Sequence, residues 1–508
     1  MDTVEGWSKR RAGDGTALRG RRREMIALLG VSLAFFMIVL DSTVVNVAVF
    51  AIKSDLSTSA AELQWIVNGY TVAFAALLLT AGIVGDRIGA KRIFLAGLVL
   101  FATASGLCSE APSIDLLVAG RILQGLGAAA IMPTSLALIT HAYPDPRGRA
   151  RAIGLWAGVA GPAITCGPII GGLLIDAFGW RSIFRLNVPV AAVSLVIAWL
   201  YVKETPRSSA RAFDPFGQII AIAALAIATS ALIEGGRVGW HAGETLGGLA
   251  LTLILFGAFW VVERRAKAPM VPPALFANHA FTVANAVGFS INFGLYGLLF
   301  VLSLFFETLL HYSAPATGVA FLPLTVTMAL TVIPSGRLTG RFGPRRPMLV
   351  GLSALFVSCV IMALTISRQS DVILAGIGFI LFGGGFGLTM PAMTAVVMSN
   401  APSDLAGTAS GVLSATRQVG GAMGVALLGA LAADSRLASG VGVDIVLVGI
   451  TTLASLVLTW SFVRSRSGCR HTSRADHGGR DRLMLSAVMR NTSPNCMSRS
   501  RVAALRQR

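Results

Sequence analysis

The sequence predicts an all-α integral membrane protein of fourteen transmembrane helices, arranged as two six-helix bundles plus two inserted helices. Three observations predict this fold class. The 508 residues are 54% hydrophobic and only 13% charged, whereas soluble proteins carry about 25% charged residues. Fourteen stretches are apolar enough to cross a bilayer, which takes about 20 residues each. The first and last parts of the chain repeat each other, and a segment between them has no counterpart.

The fourteen predicted spans are separated by short turns. Lys and Arg collect at the N-terminus and in nearly every turn that follows an even-numbered span, while the other turns carry isolated ones. By the positive-inside rule both termini are cytoplasmic, in agreement with an even number of spans. The spans cover residues 25–50, 62–84, 93–109, 114–140, 152–177, 183–202, 215–234, 244–263, 281–307, 314–335, 347–367, 371–399, 405–433 and 441–463.

A charged turn occurs twice. Residues 82–92 (GIVGDRIGAKR) and 336–346 (GRLTGRFGPRR) are related by a shift of 254 positions and share two Gly and two Arg. Residues 120–133 align with residues 378–391 at a shift of 258, and seven of the fourteen positions are identical. Two apolar halves related by a repeat are typical of secondary transporters, whose transport path lies between the halves.

The repeat divides the chain into five parts. They are a basic cytoplasmic N-terminus (1–24), an N-terminal six-helix bundle (25–204), a linker with two extra transmembrane helices (205–278), a C-terminal six-helix bundle (279–463) and a basic cytoplasmic tail (464–508). The tail is polar and nearly free of aromatic residues, so we expect it to be disordered. The two extra spans lie outside the repeat, and we expect them to pack at the periphery.

Two charged side chains lie deep within predicted spans. Asp41 is sixteen residues into the first span and Arg121 is seven residues into the fourth, and the two spans run in opposite directions, so both lie at comparable depth. An embedded charge costs about 2.5–3.5 kcal/mol on insertion scales and is a functional candidate by default. We predict that Asp41 and Arg121 couple transport to protons. The alternative is a fixed ion pair that only orders the first span.

Arg417 and Glu307 are further candidates. Arg417, deep in the thirteenth span, either faces substrate or bonds carbonyl groups across a helix interface, and Glu307 is a reserve proton site at the end of the ninth span. No His or Cys has metal-ligand spacing, and no Walker sequence or nucleophile elbow is present, so we expect no metal and no enzyme activity. The net charge of +18 sits in the turns and termini, which indicates membrane topology and no nucleic-acid partner.

The repeated turns and the fifth span are glycine-rich. The turns are interpreted as a cytoplasmic gate, in which Gly82 permits close helix packing and Asp86 accepts a hydrogen bond from a helix N-terminus; the alternative is that their charges only fix topology. Pro168 is expected to bend the fifth span, which would act as a hinge or a seal. The gate residues are Gly82, Asp86, Arg87, Gly89, Lys91, Arg92, Gly336, Arg341 and Gly343, and the fifth-span motif is Gly154, Gly167, Pro168, Gly171 and Gly172.

Over residues 25–463 these motifs resemble the major facilitator superfamily, and within it the fourteen-helix drug:proton antiporter branch. The first charged turn is similar to the superfamily's cytoplasmic signature, LDSTVVNVA (40–48) and GRILQGLG (120–127) are similar to the branch's motifs in its first and fourth helices, and GPIIGG (167–172) is similar to its antiporter motif. Ala90 and Ala163 depart from the usual pattern. The resemblance implies a major facilitator fold and a substrate cavity lined by Asn46, Trp65, Tyr70, Gln124 and Arg417.

We therefore expect a proton-coupled antiporter that exports lipophilic drugs or other small toxic compounds by alternating access, without a cofactor. Its partners would be the small substrate, protons and the lipid bilayer, with the chain acting as a monomer and the need for a periplasmic adaptor left open. The Arg-, Ala- and Gly-rich composition indicates a bacterial plasma membrane protein. The alternatives are a self-resistance exporter dedicated to one endogenous metabolite, and a membrane sensor that does not transport.

Overall fold

The computed structural model describes residues 2–207, 214–266, 269–365, 372–402, 405–434 and 437–463. Within these ranges the regular structure is helical, and the predicted tail at 464–508 lies outside them. The first half comprises α1 (Asp2–Leu56), α2 (Ala60–Ile88), α3 (Ala90–Ser109), α4 (Ile114–Ala142), α5 (Pro146–Gly158), α6 (Ala160–Phe178) and α7 (Arg181–Tyr201). Next come α8 (Pro215–Val238), α9 (Gly243–Arg265) and the short α10 (Pro273–Phe276). The second half comprises α11 (His279–Thr308), α12 (Ala314–Ala320), α13 (Leu322–Phe342), α14 (Arg345–Thr365), α15 (Val372–Asn400), α16 (Ala406–Asp434) and α17 (Leu437–Phe462).

Every predicted span coincides with one helix or one broken pair of helices. In the described part of the chain, twelve spans are long and apolar enough to cross a membrane, and α12 with α13 makes a thirteenth. The remaining predicted span, the thirteenth (α16), falls short because Arg417, Gln418 and its many glycines lower its mean hydropathy. The helices therefore agree with the predicted arrangement, and the count of fourteen spans stays a prediction.

Two spans are broken, each near a proline. The fifth span is divided at Val159 between α5 and α6, and Pro168 lies inside α6; a bend at Pro168 stays a prediction. Pro162 has no N–H to donate to the Gly158 carbonyl, so the helical ladder is interrupted there. The tenth span bends by 43° between α12 and α13, where Pro323 lies at the start of α13.

The two halves contact each other mainly through α2 with α16 and through α6 with α12 and α13. We call the helix ends that carry the repeated charged turns the basic side and the other ends the opposite side. A Cβ at Gly429, near the opposite side of α16, would lie 2.8 Å from Gln64 Nε2 of α2. A Cβ at Gly411, nearer the basic side, would overlap the Leu79 side chain. These two helices are therefore closely packed along most of their length.

The inserted pair is only partly peripheral. α9 has most of its surface outside the protein, as expected, but α8 packs against α2 and α16 and so contacts both halves. The side-chain amide of Gln218 on α8 donates to the Ala76 carbonyl of α2 at 2.8 Å and its carbonyl accepts from the Thr80 hydroxyl. The expectation that both extra helices lie at the periphery was wrong for α8, because its buried amide finds polar partners on α2.

Glycines set the distance between α11 and α16, which yields a stability prediction. A Cβ at Gly424 would overlap the Phe293 carbonyl of α11, whereas a Cβ at Gly340 on α13 meets no atom within 4 Å. We expect Gly424→Ala to lower the unfolding temperature of the purified protein in detergent by several degrees, because α11 and α16 must separate. Gly340→Ala, the control, should leave it unchanged or raise it, since alanine favours a helix by about 0.5–1 kcal/mol over glycine. Equal effects would contradict the packing described.

Candidate functional site

Asp41 and Arg121 form an ion pair in the interior of the first half. Arg121 Nη1 on α4 donates to Asp41 Oδ2 on α1 at 2.6 Å, and the two side chains are 1% and 2% exposed. The structure thus brings together the two charges that the sequence places at comparable depth. A charge-assisted bond of this kind between fully desolvated groups is strong, and it leaves a costly unpaired charge when one partner is removed.

Arg121 donates two further hydrogen bonds, and one of its partners extends the network to α3. Its Nε donates to the Ile66 carbonyl of α2 at 3.0 Å, and its Nη1 also donates to Gln124 Oε1 at 2.8 Å. The Gln124 amide in turn donates to the Ser105 hydroxyl of α3 at 2.6 Å. One guanidinium therefore holds α1, α2 and α4 together and reaches α3 through Gln124.

Asn187 is the second partner of Asp41. Its Nδ2 on α7 donates to Asp41 Oδ1 at 2.7 Å, so each carboxylate oxygen accepts one bond from a different helix. Sequence reasoning assigned no function to Asn187. The available signal was a polar residue four positions after the start of the predicted span 183–202.

Tyr70 of α2 packs against the Arg121 guanidinium. The Arg121 guanidinium carbon lies 4.4 Å from the centre of the Tyr70 ring, close enough for a cation–π interaction. Among the described residues, the buried Tyr70 hydroxyl has no hydrogen-bond partner. The cation–π contact therefore adds an aromatic face from α2 to the surroundings of the ion pair.

The residues predicted to line the cavity fall into two groups. Trp65 and Arg417 are half-buried. Gln124 and Tyr70 are almost fully buried beside Arg121, and Gln124 lines no cavity in this conformation because Arg121 and Ser105 occupy its amide. Asn46 is also buried, with its Oδ1 unpartnered.

The glycine motif of the fifth span seals the opposite side. A Cβ at Gly167 of α6 would overlap the Thr43 side chain of α1, and one at Gly171 would lie 3.2 Å from Val44 Cγ1. A Cβ at Gly172 would lie 2.7 Å from the Ala314 oxygen of α12, and a Cβ at Gly318 of α12 would overlap the Pro168 carbonyl. Toward the basic side, a Cβ at Gly154 or Gly336 would meet no atom within 4 Å. α6 thus touches α1 and α12 on the opposite side, whereas these two glycines near the basic side are uncovered.

The repeated turns have the same construction in both halves. Gly89 and Gly343, which correspond under the 254-residue shift, have φ of +117° and +77°, a region that glycine enters without steric cost. Lys91 Nζ donates to the Trp199 carbonyl at 2.8 Å, and Arg345, at the equivalent position, donates to the Trp460 carbonyl at 2.8 Å.

Glu204 is a partner of the first turn that sequence reasoning missed. Its carboxylate accepts from the Lys91 N–H at 2.9 Å at the N-terminus of α3 and lies 3.8 Å from Arg92 Nε, which suits the positive end of a helix dipole. The expected role of Asp86 as a helix-terminus acceptor stays a prediction.

Close contact in the first turn is made by Gly85, and the expectation for Gly82 was wrong. A Cβ at Gly82 would make an ordinary contact of 3.6 Å with Pro133 of α4, whereas one at Gly85 would lie 2.8 Å from Thr134 Cγ2. The remaining gate residues Arg87 and Arg341 lie in the last turns of α2 and α13.

Two acidic side chains in the second half are buried without a cationic partner in the described residues. Glu307, at the end of α11, is 4% exposed and lies beside the Thr317 hydroxyl of α12. Asp444 on α17 is 0% exposed and both of its carboxylate oxygens lack a hydrogen-bond partner. Sequence reasoning missed Asp444, which lies only three residues into the predicted span 441–463.

Comparison with known proteins identifies relatives. The sequence profile of the Major Facilitator Superfamily matches residues 31–425. The multidrug resistance protein Stp of Mycobacterium tuberculosis (strain CDC 1551 / Oshkosh) is 37% identical over 412 residues, which cover 81% of this chain and 76% of that protein. The methylenomycin A resistance protein of Bacillus subtilis (strain 168) is 35% identical over 442 residues, which cover 87% of this chain and 95% of that protein. A crystal structure of the peptide transporter POT in complex with sulfate shares the fold, with a TM-score of 0.63 at 15% identity over 85% of this chain and 94% of that one.

The ion pair predicts a definite pattern of stabilities. Arg121→Gln leaves the Asp41 carboxylate buried without its cation, which should destabilise the protein by about 3–5 kcal/mol. Adding Asp41→Asn removes the unpaired charge, so the double variant should be more stable than Arg121→Gln alone. Thermal unfolding of the purified variants in one detergent measures this order. A double variant that loses the sum of the two single losses would show that the two side chains act independently.

Proposed function

Because this chain belongs to the Major Facilitator Superfamily, a family of membrane transporters and not of enzymes, we propose that it is a proton-coupled antiporter that exports small toxic compounds. The buried Asp41–Arg121 pair is the observation that carries the proton coupling. The relatives are named as multidrug and antibiotic resistance proteins, which supports export of drugs. We place it in a bacterial plasma membrane with the basic side in the cytoplasm, in accord with the positive-inside rule.

Protonation of Asp41 is the proposed coupling event. The ionised carboxylate accepts from Arg121 and Asn187, and a proton on Asp41 would replace the ion pair by weaker contacts and leave the guanidinium uncompensated. Arg121 would then favour an arrangement in which water or a substrate group reaches it. Substrate and proton each change the affinity for the other, as linkage requires.

The position of Asp41 on α1 also links its protonation to the closure of the opposite side. Thr43, two residues further along α1, is the side chain onto which Gly167 of α6 packs. A shift of α1 caused by a change at Asp41 therefore acts directly on the contact that closes the opposite side. In the conformation described, α6 contacts α1 and α12 closely on that side, whereas Gly154 and Gly336 near the basic side are uncovered; we assign this conformation to the cytoplasm-facing half of an alternating-access cycle. Protons would reach Asp41 from outside in the other half of the cycle.

A dedicated metabolite exporter is the second candidate. The methylenomycin A resistance protein, 35% identical, is named for one compound. The same proton site would serve such an exporter, and only the range of substrates would be narrower. Neither function requires a cofactor, and both are compatible with a monomer.

Dye efflux from energised cells tests the proposal. Cells that express the wild type should lose a preloaded lipophilic dye faster than cells with empty vector, and a protonophore should abolish the difference. Asp41→Asn cannot carry a proton at this position and should remove active efflux. Asp115→Asn, which changes an exposed carboxylate in the first turn of α4, is the matched control and should export like the wild type.

The outcomes separate the candidates. Active efflux by Asp41→Asn would exclude Asp41 as the coupling site and direct attention to Glu307. If no dye in a broad panel moves while one antibiotic does, the dedicated exporter is favoured. If cells expressing the wild type neither export a compound nor gain resistance to any, the proposal of export is wrong.

A further inference from the structure

Arg417 is a second deep cation, and its surroundings differ from those of Arg121. It lies eleven residues into α16 from Ala406, which is about 16 Å along the helix at 1.5 Å per residue. Arg417 is only partly exposed and its Nε is buried, on a helix that packs against α2, α8 and α11. At this depth the guanidinium is remote from the helix ends and from the bulk water there.

The guanidinium of Arg417 has almost no hydrogen-bond partners. Its Nη2 approaches the Met390 sulfur at 3.8 Å, a weak contact, and its buried Nε has no partner. Among the described residues it forms no ion pair with a carboxylate, whereas Arg121 bonds a carboxylate, a carbonyl and an amide. The Nε edge, which with one terminal nitrogen forms the planar fork that matches an oxyanion, therefore has no oxygen acceptor among the described residues.

A packing role does not account for Arg417. Bonds from its guanidinium to carbonyl groups of α11 would be the expected sign of such a role, and none is present among the described residues. The approach of α11 and α16 is instead achieved by Gly420 against Phe289 and by Gly424 against Phe293. The aliphatic Cγ of Arg417 packs against Gly288 of α11, where a Cβ would lie 3.2 Å away.

Tyr296 of α11 is the polar side chain that we associate with Arg417. It packs over Gly421, one turn beyond Arg417 on α16, where a Cβ would lie 3.0 Å from the Tyr296 ring. Met390 of α15 lies against the guanidinium itself. The phenol and the guanidinium thus lie one helical turn apart along α16, with Met390 as an apolar neighbour.

We propose that Arg417, assisted by the Tyr296 hydroxyl, binds an oxyanion of the substrate, such as a carboxylate or sulfonate on an otherwise lipophilic molecule. An unpaired cation at this depth is costly, and an anionic substrate group would offset that cost while it is bound. The proposal names a substrate class for the proposed function. It rests on that function only where it concerns transport, because binding of a substrate can be measured without transport. It places the proton site, Asp41, in the first half of the protein and the binding site for the charge of the substrate, Arg417, in the second half.

The charge of the substrate determines how many charges each exchange moves across the membrane. Exchange of one entering proton for one leaving monoanion moves two charges across the membrane, exchange for a neutral compound moves one, and exchange for a monocation moves none. An inside-negative potential therefore drives export of the anion most strongly.

Two probes of the same skeleton test the binding site. 8-Anilinonaphthalene-1-sulfonate is an anion, and N-phenyl-1-naphthylamine is its neutral counterpart without the sulfonate. Binding of each to the purified full chain in nanodiscs is measured by fluorescence, with empty nanodiscs subtracted. Arg417→Gln should weaken binding of the sulfonate roughly tenfold or more, the loss of about one charge-assisted hydrogen bond, and leave binding of the neutral probe unchanged.

Two more variants serve as comparisons in the binding test. Arg417→Lys retains the charge but not the fork, and should weaken sulfonate binding several-fold while retaining the fold. Arg237→Gln removes one exposed charge near the end of α8 and should change neither affinity. Equal losses for both probes in Arg417→Gln and Arg417→Lys would overturn the proposal, as would unchanged sulfonate binding or a wild type that binds only the neutral probe.

Transport separates this proposal from the proposed function. In proteoliposomes with a potassium diffusion potential, wild-type transport of the sulfonate should depend more steeply on potential than transport of the neutral probe. If neither probe is coupled to protons but Arg417→Gln still loses sulfonate affinity, the proton-coupled function fails and the anion site stands. If both probes are proton-coupled and show the same dependence on potential, the anion site fails and the proposed function stands.

Discussion

The structure depends first on the cost of placing charges where there is no bulk water. Asp41 and Arg121 are the most deeply buried oppositely charged pair in the described residues, and each charge makes the other tolerable. The additional bonds from Asn187 to Asp41 and from Arg121 to the Ile66 carbonyl satisfy the remaining polar atoms. This arrangement links α1, α2, α4 and α7 at one point, so a change in the protonation of a single carboxyl group acts on four helices.

The second constraint is the close approach of backbones, which glycine makes possible. On the opposite side Gly167, Gly171 and Gly172 let α6 contact α1 and α12, while Gly154 and Gly336 near the basic side are uncovered. A glycine that is uncovered in one conformation can support close packing in the other, because small residues allow helices to separate and return without losing large interdigitated side chains. Close packing at glycines can therefore close one side of the protein in one conformation and the other side in the other conformation.

The sequence allowed the spans, the repeat and the ion pair to be predicted, because charge and hydropathy along the chain are local properties. Asp41 stands out in an apolar run whatever its partner is. Asn187, Ser105 and the Ile66 carbonyl did not, since only the packing of distant helices makes them partners of the pair. The contact of α8 with both halves, the break at Val159 and the burial of Asp444 are likewise consequences of tertiary packing. Asp444 resembled a helix-end residue in the sequence, where water would be near.

The central claim is that protons move through Asp41 in exchange for substrate. The most direct measurement is the internal pH of proteoliposomes, reported by an enclosed pH-sensitive dye, when a gradient of transported substrate is imposed with no initial pH difference. The account predicts that protons move against the direction of the substrate in the wild type. In Asp41→Asn, exchange of labelled for unlabelled substrate should continue while proton movement stops. Substrate movement without any proton movement in the wild type, or unchanged proton movement in Asp41→Asn, would contradict the account.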